Sequence, residues 1–179
     1  MAIKLGILGC GSVLWGPYLS LLEKLIHEGR VEIAAVYDPV ASKAEAVAKR
    51  VGISKIATSS DEVIENPNVD AVGIFTSMNA HAALTIAALE AGKHVLVEKP
   101  MATNLEDGQR VLEVAKRSKG KLICAPHILL SPTYQRMYQH IQQKTIGEII
   151  SARARYGWAG PWWSKWFYEP GGGSLFDLG

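Results

Sequence analysis

Apolar residues recur along the first 125 positions with two alternating periods. Ile3–Leu8 is a strand-length apolar run that ends at Gly9. Leu14, Tyr18, Leu21, Leu22 and Leu25 follow at i, i+4, i+7, i+8 and i+11, one face of a helix stopping near Gly29. Residues 32–37 predict the next strand and Ala41–Val51 the next helix, closed by Gly52. Residues 71–75 are almost purely apolar, as a strand covered on both faces requires. Asn79 is placed to cap an apolar helix that runs to Ala91 and ends at Gly92. His94–Val97, a helix over about 104–119, and a strand over 122–125 complete the series. Strands alternating with helices imply an α/β fold, a doubly wound parallel sheet with right-handed crossovers.

After Ala125 the rhythm changes. Pro126 and Pro132 punctuate a connector, and residues 132–143 predict a helix. Residues 148–156 alternate β-branched and charged side chains, the mark of a half-exposed strand. Four of the five tryptophans then fall between Trp158 and Trp166. The expected division is residues 1–125 as one domain and 126–179 as a connector plus the incomplete start of a second.

Composition narrows the function classes. With 48% hydrophobic and 20% charged residues, the chain is neither disordered nor collagen-like. At 179 residues it can bury roughly 70% of its unfolded surface without metals or disulfides. Nineteen basic against 17 acidic residues give a net charge of +2 and no long basic stripe, so no nucleic-acid partner is expected. No apolar run approaches the roughly 20 residues of a membrane span, and the N-terminus lacks a signal-peptide pattern. Cys10 and Cys124 stand far apart, which suggests neither a disulfide framework nor a metal site. A soluble, cytoplasmic protein is the expectation.

Candidate chemistry begins where the first strand meets the first helix. Gly9 permits a tight turn there, and Gly11 removes a side chain that would block a pyrophosphate. The helix that opens at Ser12 and Val13 supplies N–H donors and a positive dipole. The usual third small residue, at position 14, is Leu, and the next glycine is Gly16, so the fingerprint is a variant one. An ordinary strand-to-helix turn is the alternative. Asp38, 27 residues after Gly11 at the end of the second strand, favours the cofactor loop. An acid there accepts from an adenosine ribose 2′-OH and repels a 2′-phosphate, so NAD is expected over NADP. Ser42 and Lys43 lie nearby and soften that preference, and Asp38-Pro39 can also start a turn and cap the next helix.

At Glu98-Lys99-Pro100 the sequence begins to resemble a known family. The stretch Ala88-Leu-Glu-Ala-Gly-Lys-His-Val-Leu-Val-Glu-Lys-Pro-Met-Ala102 is closely similar to the glucose–fructose oxidoreductase / inositol dehydrogenase / MocA family. Thr76 and His81 stand where that family often has Thr-Pro-Asn-x-x-His, with Ser77 and Met78 replacing the Pro and Asn. Gly171 to Gly179 matches a glycine-rich segment that leads into Asp-x-Gly-x-His, with Asp177 as its Asp. The resemblance implies an NAD(P)-dependent oxidoreductase with a Rossmann-type domain followed by an α+β substrate domain, forming a homo-oligomer at full length. It implies that Lys99 sits beside the nicotinamide and the substrate hydroxyl, with Asp177 as its catalytic partner. A cation there polarises a carbonyl or stabilises an alkoxide, and a lysine with a lowered pKa moves the proton itself. Thr76, Ser77, His81, Glu98 and Pro100 join the cofactor site on the same footing, and the Lys99–Pro100 bond is expected to be cis. The small-molecule substrate implied is a sugar, a polyol or a related hydroxyl compound.

Departures bear on substrate choice. Where many members have Gly-x-Asn-x-Arg-Phe, residues 125–130 read Ala-Pro-His-Ile-Leu-Leu, so the Arg and Phe are absent. His127 takes the place of the Asn, as a substrate contact or as a buried, satisfied histidine. Trp163, in the cluster of Trp158, Trp162, Trp166, Phe167 and Tyr168, stands as a stacking wall for a sugar-like ring or as packing for a second-domain core. Cys10 needs no redox role. The rival function is a dinucleotide-binding regulator or scaffold without turnover. Asp177-Leu178-Gly179 stops two residues short of the family's His, so the chain reads as the first half of an enzyme. In that form cofactor binding is expected, with turnover absent or severely reduced.

Overall fold

The structure, a computed structural model, describes residues 1–125, 129–155 and 168. They fall into two compact units, Met1–Cys124 and Ala125–Gly179. In the first unit β1 (Ile3–Leu8), β2 (Val31–Tyr37), β3 (Ala71–Ile74), β4 (His94–Val97) and β5 (Leu122–Cys124) form one sheet in the order β2-β1-β3-β4-β5. All four pairings are parallel. The helices between them are α1 (Leu19–His27), α2 (Ala41–Val51), α3 (Ser60–Ile64), α4 (His81–Glu90) and α5 (Leu105–Arg117). The chain winds outward from β1 in both directions, which opens a crevice at the carboxyl ends of β1 and β3.

Side-chain alternation along the strands divides the core into two layers. Ile7 and Phe75 join Leu14, Leu19, Leu22, Val36 and Val47 on one side of the sheet. Leu8, Val72 and Ile74 join Val63, Leu89 and Val114 on the other. Both faces are therefore covered, as the continuous apolar run of β3 required. The α5 helix starts at the cap Asn104, whose Oδ1 accepts the Asp107 N–H at 2.8 Å. Gly52, at φ +73°, closes α2 in the left-handed conformation.

Four local features differ from the sequence expectation. The helix after β1 opens as a π-helical turn over Leu14–Tyr18 before α1. Leu14 is fully buried where the fingerprint wants a small residue, and Pro17 has no N–H for a regular ladder, so the turn widens. Asn79 caps nothing: Met78–Ala80 is a 3₁₀ turn closed by the Ala80 N–H on the Ser77 carbonyl, and α4 begins only at His81. The five-residue α3 is too short for its periodicity to register. Helix α5 also stops two residues early, because the Ser118 hydroxyl donates to the Leu89 carbonyl at 2.6 Å.

In the second unit α6 (Pro132–Gln142) forms as expected, with Pro132 at its start and Ser131 as its cap. The strand expected over 148–156 is absent among the described residues 148–155. The alternation is there, but no described strand pairs with it, and an isolated strand has no ladder to hold it.

Candidate functional site

Gly9 ends β1 at φ +91°, in the left-handed half of backbone space. A Cβ there would lie 2.6–2.7 Å from main-chain atoms of Phe75 and Thr76, so only glycine lets the two strand ends approach. Two residues on, a Cβ on Gly11 would meet no atom within 4 Å. The space over Gly11 is thus open, in the place where a pyrophosphate must come close to backbone. Exposed Ser12 and Val13 follow at the start of the π turn, where the first N–H groups of a helix lack intrahelical partners.

A cleft of about 520 Å³ runs from this loop. Its polar lining includes Asp38, Lys43, Ser60, Thr76 and Ser77, and Val40, Ala80 and Leu84 contribute apolar wall. Asp38 does structural work first: its Oδ2 accepts the Cys10 N–H at 2.7 Å and its Oδ1 accepts the Val40 N–H at 2.8 Å. Each oxygen keeps a further lone pair, so the turn role and a ribose role are compatible. Cys10 between the glycines is buried, and burial, aided by Asp38 and partly opposed by Lys43, pushes its thiol up to about 12. That thiol is not a reactive one.

The second half of the site sits at the end of β4. Glu98 continues the sheet by donating its N–H to the Ile74 carbonyl at 3.0 Å. Glu98 is 6% exposed, and its carboxylate accepts the Tyr18 hydroxyl at 2.5 Å and the Lys99 N–H at 3.0 Å. Burial, then the hydrogen bond to Glu98, raises the Tyr18 hydroxyl far above the usual tyrosine range. Burial and the same carboxylate raise Cys124. The Lys99–Pro100 peptide is cis, as expected.

His81 is neither a surface imidazole nor open to a ligand. At 2% exposure its Nδ1 lies 2.8 Å from the Pro100 carbonyl and its Nε2 3.0 Å from the Thr76 carbonyl. The ring is a pillar between the loops that follow β3 and β4.

The structure therefore gathers Gly9, Gly11, Asp38, Thr76 and Ser77 at one cleft. Glu98, Lys99 and Pro100 form a second cluster, which His81 ties to Thr76. Asp177, His127 and Trp163 lie outside the described residues. Among the described residues no group of three His, Cys, Asp or Glu side chains is placed to hold a metal, and no helix is long and apolar enough to cross a membrane. Sequence reading missed Tyr18, which counted only as one tooth of an apolar helix face. Its phenol was the available signal, since a buried tyrosine hydroxyl needs a partner.

The chain spans about half the length of the curated relatives it matches. The 1,5-anhydro-D-fructose reductase of Ensifer adhaerens is 33% identical over 151 residues, 82% of this chain and 45% of the reductase. The WlbA dehydrogenase of Bordetella pertussis, solved with NADH and UDP-GlcNAcA, superimposes with a TM-score of 0.71 at 26% identity, covering 82% of this chain and 44% of that one. A 3-ketoreductase of Actinomadura kijaniata, solved with NADP, gives a TM-score of 0.71 at 28% identity, covering 83% and 46%. Residues 134–179 match the GFO/IDH/MocA C-terminal domain. Residues 3–125, the stretch that builds the glycine loop, the cleft and the Lys99 corner, match the oxidoreductase family with the NAD-binding Rossmann fold, and the chain belongs to that GFO/IDH/MocA family.

Proposed function

We propose that the chain binds a nicotinamide dinucleotide across the crevice and serves hydride transfer to or from a hydroxyl-bearing carbon of a sugar, a polyol or a related compound. The observation that carries this reading is the pairing of open space over Gly11 with Asp38 at the rim of the same cleft. The Gly9–Gly11 loop with Ser12 and Val13 takes the pyrophosphate, and Asp38 takes the adenosine ribose. Thr76, Ser77, His81 and the Glu98-Lys99-Pro100 corner shape the nicotinamide end. When bound, the dinucleotide supplies the hydride donor or acceptor.

Lys99 polarises the substrate carbonyl, or steadies the alkoxide as its proton leaves, from the end of a parallel strand where such sheets present ligands. Asp177 is proposed as its partner in proton movement, and His127 and Trp163 are proposed as substrate contacts. Residues 1–125 are the cofactor domain and residues 126–179 open the substrate domain. A sugar-like substrate is supported by the relatives, one named for an anhydrofructose and one solved with a nucleotide sugar. Relatives are solved with either dinucleotide, so the choice of NAD rests on the carboxylate of Asp38.

Fluorescence titration with NADH and NADPH tests the reading. NADH is expected to bind at least about tenfold more tightly, a difference of about 1.4 kcal/mol, and Asp38→Ala is expected to narrow the gap. Binding of neither dinucleotide would sink the proposal. Tighter NADPH binding would remove the Asp38 argument alone.

A further inference from the structure

The buried carboxylate of Glu98 has no role in the reading above beyond its place in the sequence motif, yet its surroundings are specific. One oxygen accepts the Tyr18 hydroxyl and the other accepts the Lys99 main-chain N–H. Tyr18 closes the π turn that directly follows the glycine loop, 80 residues away in sequence. Its ring packs on Phe75 with centroids 4.6 Å apart and planes tilted by 50°. The Phe75 ring has room because residue 73 is glycine: a Cβ there would lie 2.7 Å from Cε2 of Phe75.

We infer that Tyr18 is a positioning residue, which through Glu98 fixes the main chain at Lys99 and so places the lysine at the nicotinamide end of the site. The inference rests on the proposed reading of Lys99. The carboxylate of a buried glutamate must satisfy its lone pairs locally. Here a phenol and a peptide N–H satisfy them, each on its own oxygen. Loss of the phenol leaves Oε1 short of a donor in a buried place, and the carboxylate then turns toward whatever donor or water it can reach. The Lys99 N–H loses its fixed acceptor in the same movement. The wide turn at Leu14–Tyr18 contributes directly, because an inserted residue rotates every later side chain about the helix axis. The turn after the glycine loop and the strand end that carries the lysine are thereby tied by the Tyr18–Glu98 hydrogen bond, and the Lys99 N–H bond passes that tie to the lysine's main chain.

The test uses the ¹⁵N-labelled 179-residue chain and its Tyr18→Phe variant, which keeps the ring on Phe75 and deletes only the hydroxyl. Amide hydrogen exchange at Lys99 is read alongside affinities for NADH and for ADP-ribose, which lacks the nicotinamide. Exchange at Lys99 is expected to accelerate roughly tenfold, the size of one charge-assisted hydrogen bond. NADH affinity is expected to fall severalfold while ADP-ribose affinity holds. Glu98→Ala is the second variant, since it removes the acceptor of both donors; it should reproduce the loss at Lys99, and the double variant should add nothing to it. Wild-type exchange at Lys99 in Tyr18→Phe overturns the inference, as does a parallel loss of both ligands. If the wild-type chain binds neither ligand, the dinucleotide reading fails, and the exchange measurement still decides whether Tyr18 holds Lys99.

Discussion

Two glycines, two residues apart, meet opposite demands. Gly9 is required by the fold: its φ of +91° alone costs another residue roughly 1–3 kcal/mol, before any overlap with Phe75 and Thr76. A Cβ on Gly11 would touch nothing, so the value of this glycine lies in what it leaves open. Gly9→Ala is therefore expected to lower the melting temperature markedly. Gly11→Ala should leave stability within about 0.5 kcal/mol and weaken NADH binding tenfold or more. Thermal melts beside NADH titrations separate the two; equal damage to stability by both would contradict the assignment. Cys10 adds a pH dependence. Its folded thiol is raised from 9.0 to about 12, so the fold prefers the neutral form. That contribution is complete below pH 9 and is lost as pH climbs toward 12. Denaturant melts across this window should show Cys10→Ala losing less stability than the parent chain. Gly9, Gly11 and Asp38 were legible in the sequence because backbone geometry and charge leave few residue types for those places. The Asp38 bonds to Cys10 and Val40 were not, because they depend on where two loops meet in space.

Among the elements, the strands and long helices of the first unit were the most legible, since each carries an unbroken apolar period and a glycine or a cap at its end. The misreadings have separate causes: Pro17 widens the first turn, α3 is too short for its period to register, and at residue 79 a backbone turn displaces a cap signal. Asn79 has the right chemistry for a cap, but the chain closes a 3₁₀ turn with backbone and delays α4 until His81. That delay sets the imidazole between the Thr76 and Pro100 carbonyls. His81→Ala removes the pillar and opens a cavity beneath both loops, at an expected cost of about 2–3 kcal/mol. His81→Gln, which keeps an N–H donor, is expected to recover part of that loss and of the NADH affinity. Chemical denaturation of the three chains checks the order; equal stability in Ala and Gln variants would show that the ring acts by volume alone.

At the scale of the whole molecule, the described cofactor-side features all belong to the first unit. The five-stranded sheet, both core layers, the cleft and the Lys99 corner lie within Met1–Cys124. Its sheet has two edges, one partly covered and the other short. An isolated bridge from Val36 to Ile56 and the Ala57 N–H on the Val36 carbonyl cover part of β2, while β5 is only three residues long, though Ile123 on it is 58% exposed. Short or covered edges are what keep a small open sheet from pairing with copies of itself. By contrast α6 presents Tyr134, Met137, Tyr138 and Ile141 at helical spacing, and all four are exposed. Among the described residues the apolar burial is therefore concentrated in residues 1–125, and a chain of those residues is expected to unfold in one cooperative transition. It should bind NADH within about twofold of the 179-residue chain, a difference under 0.5 kcal/mol. Calorimetry and NADH titration of the two chains decide this. If the shorter chain melts without a cooperative transition, residues 126–179 stabilise the sheet; if it folds but loses NADH by tenfold or more, those residues reach the cofactor site.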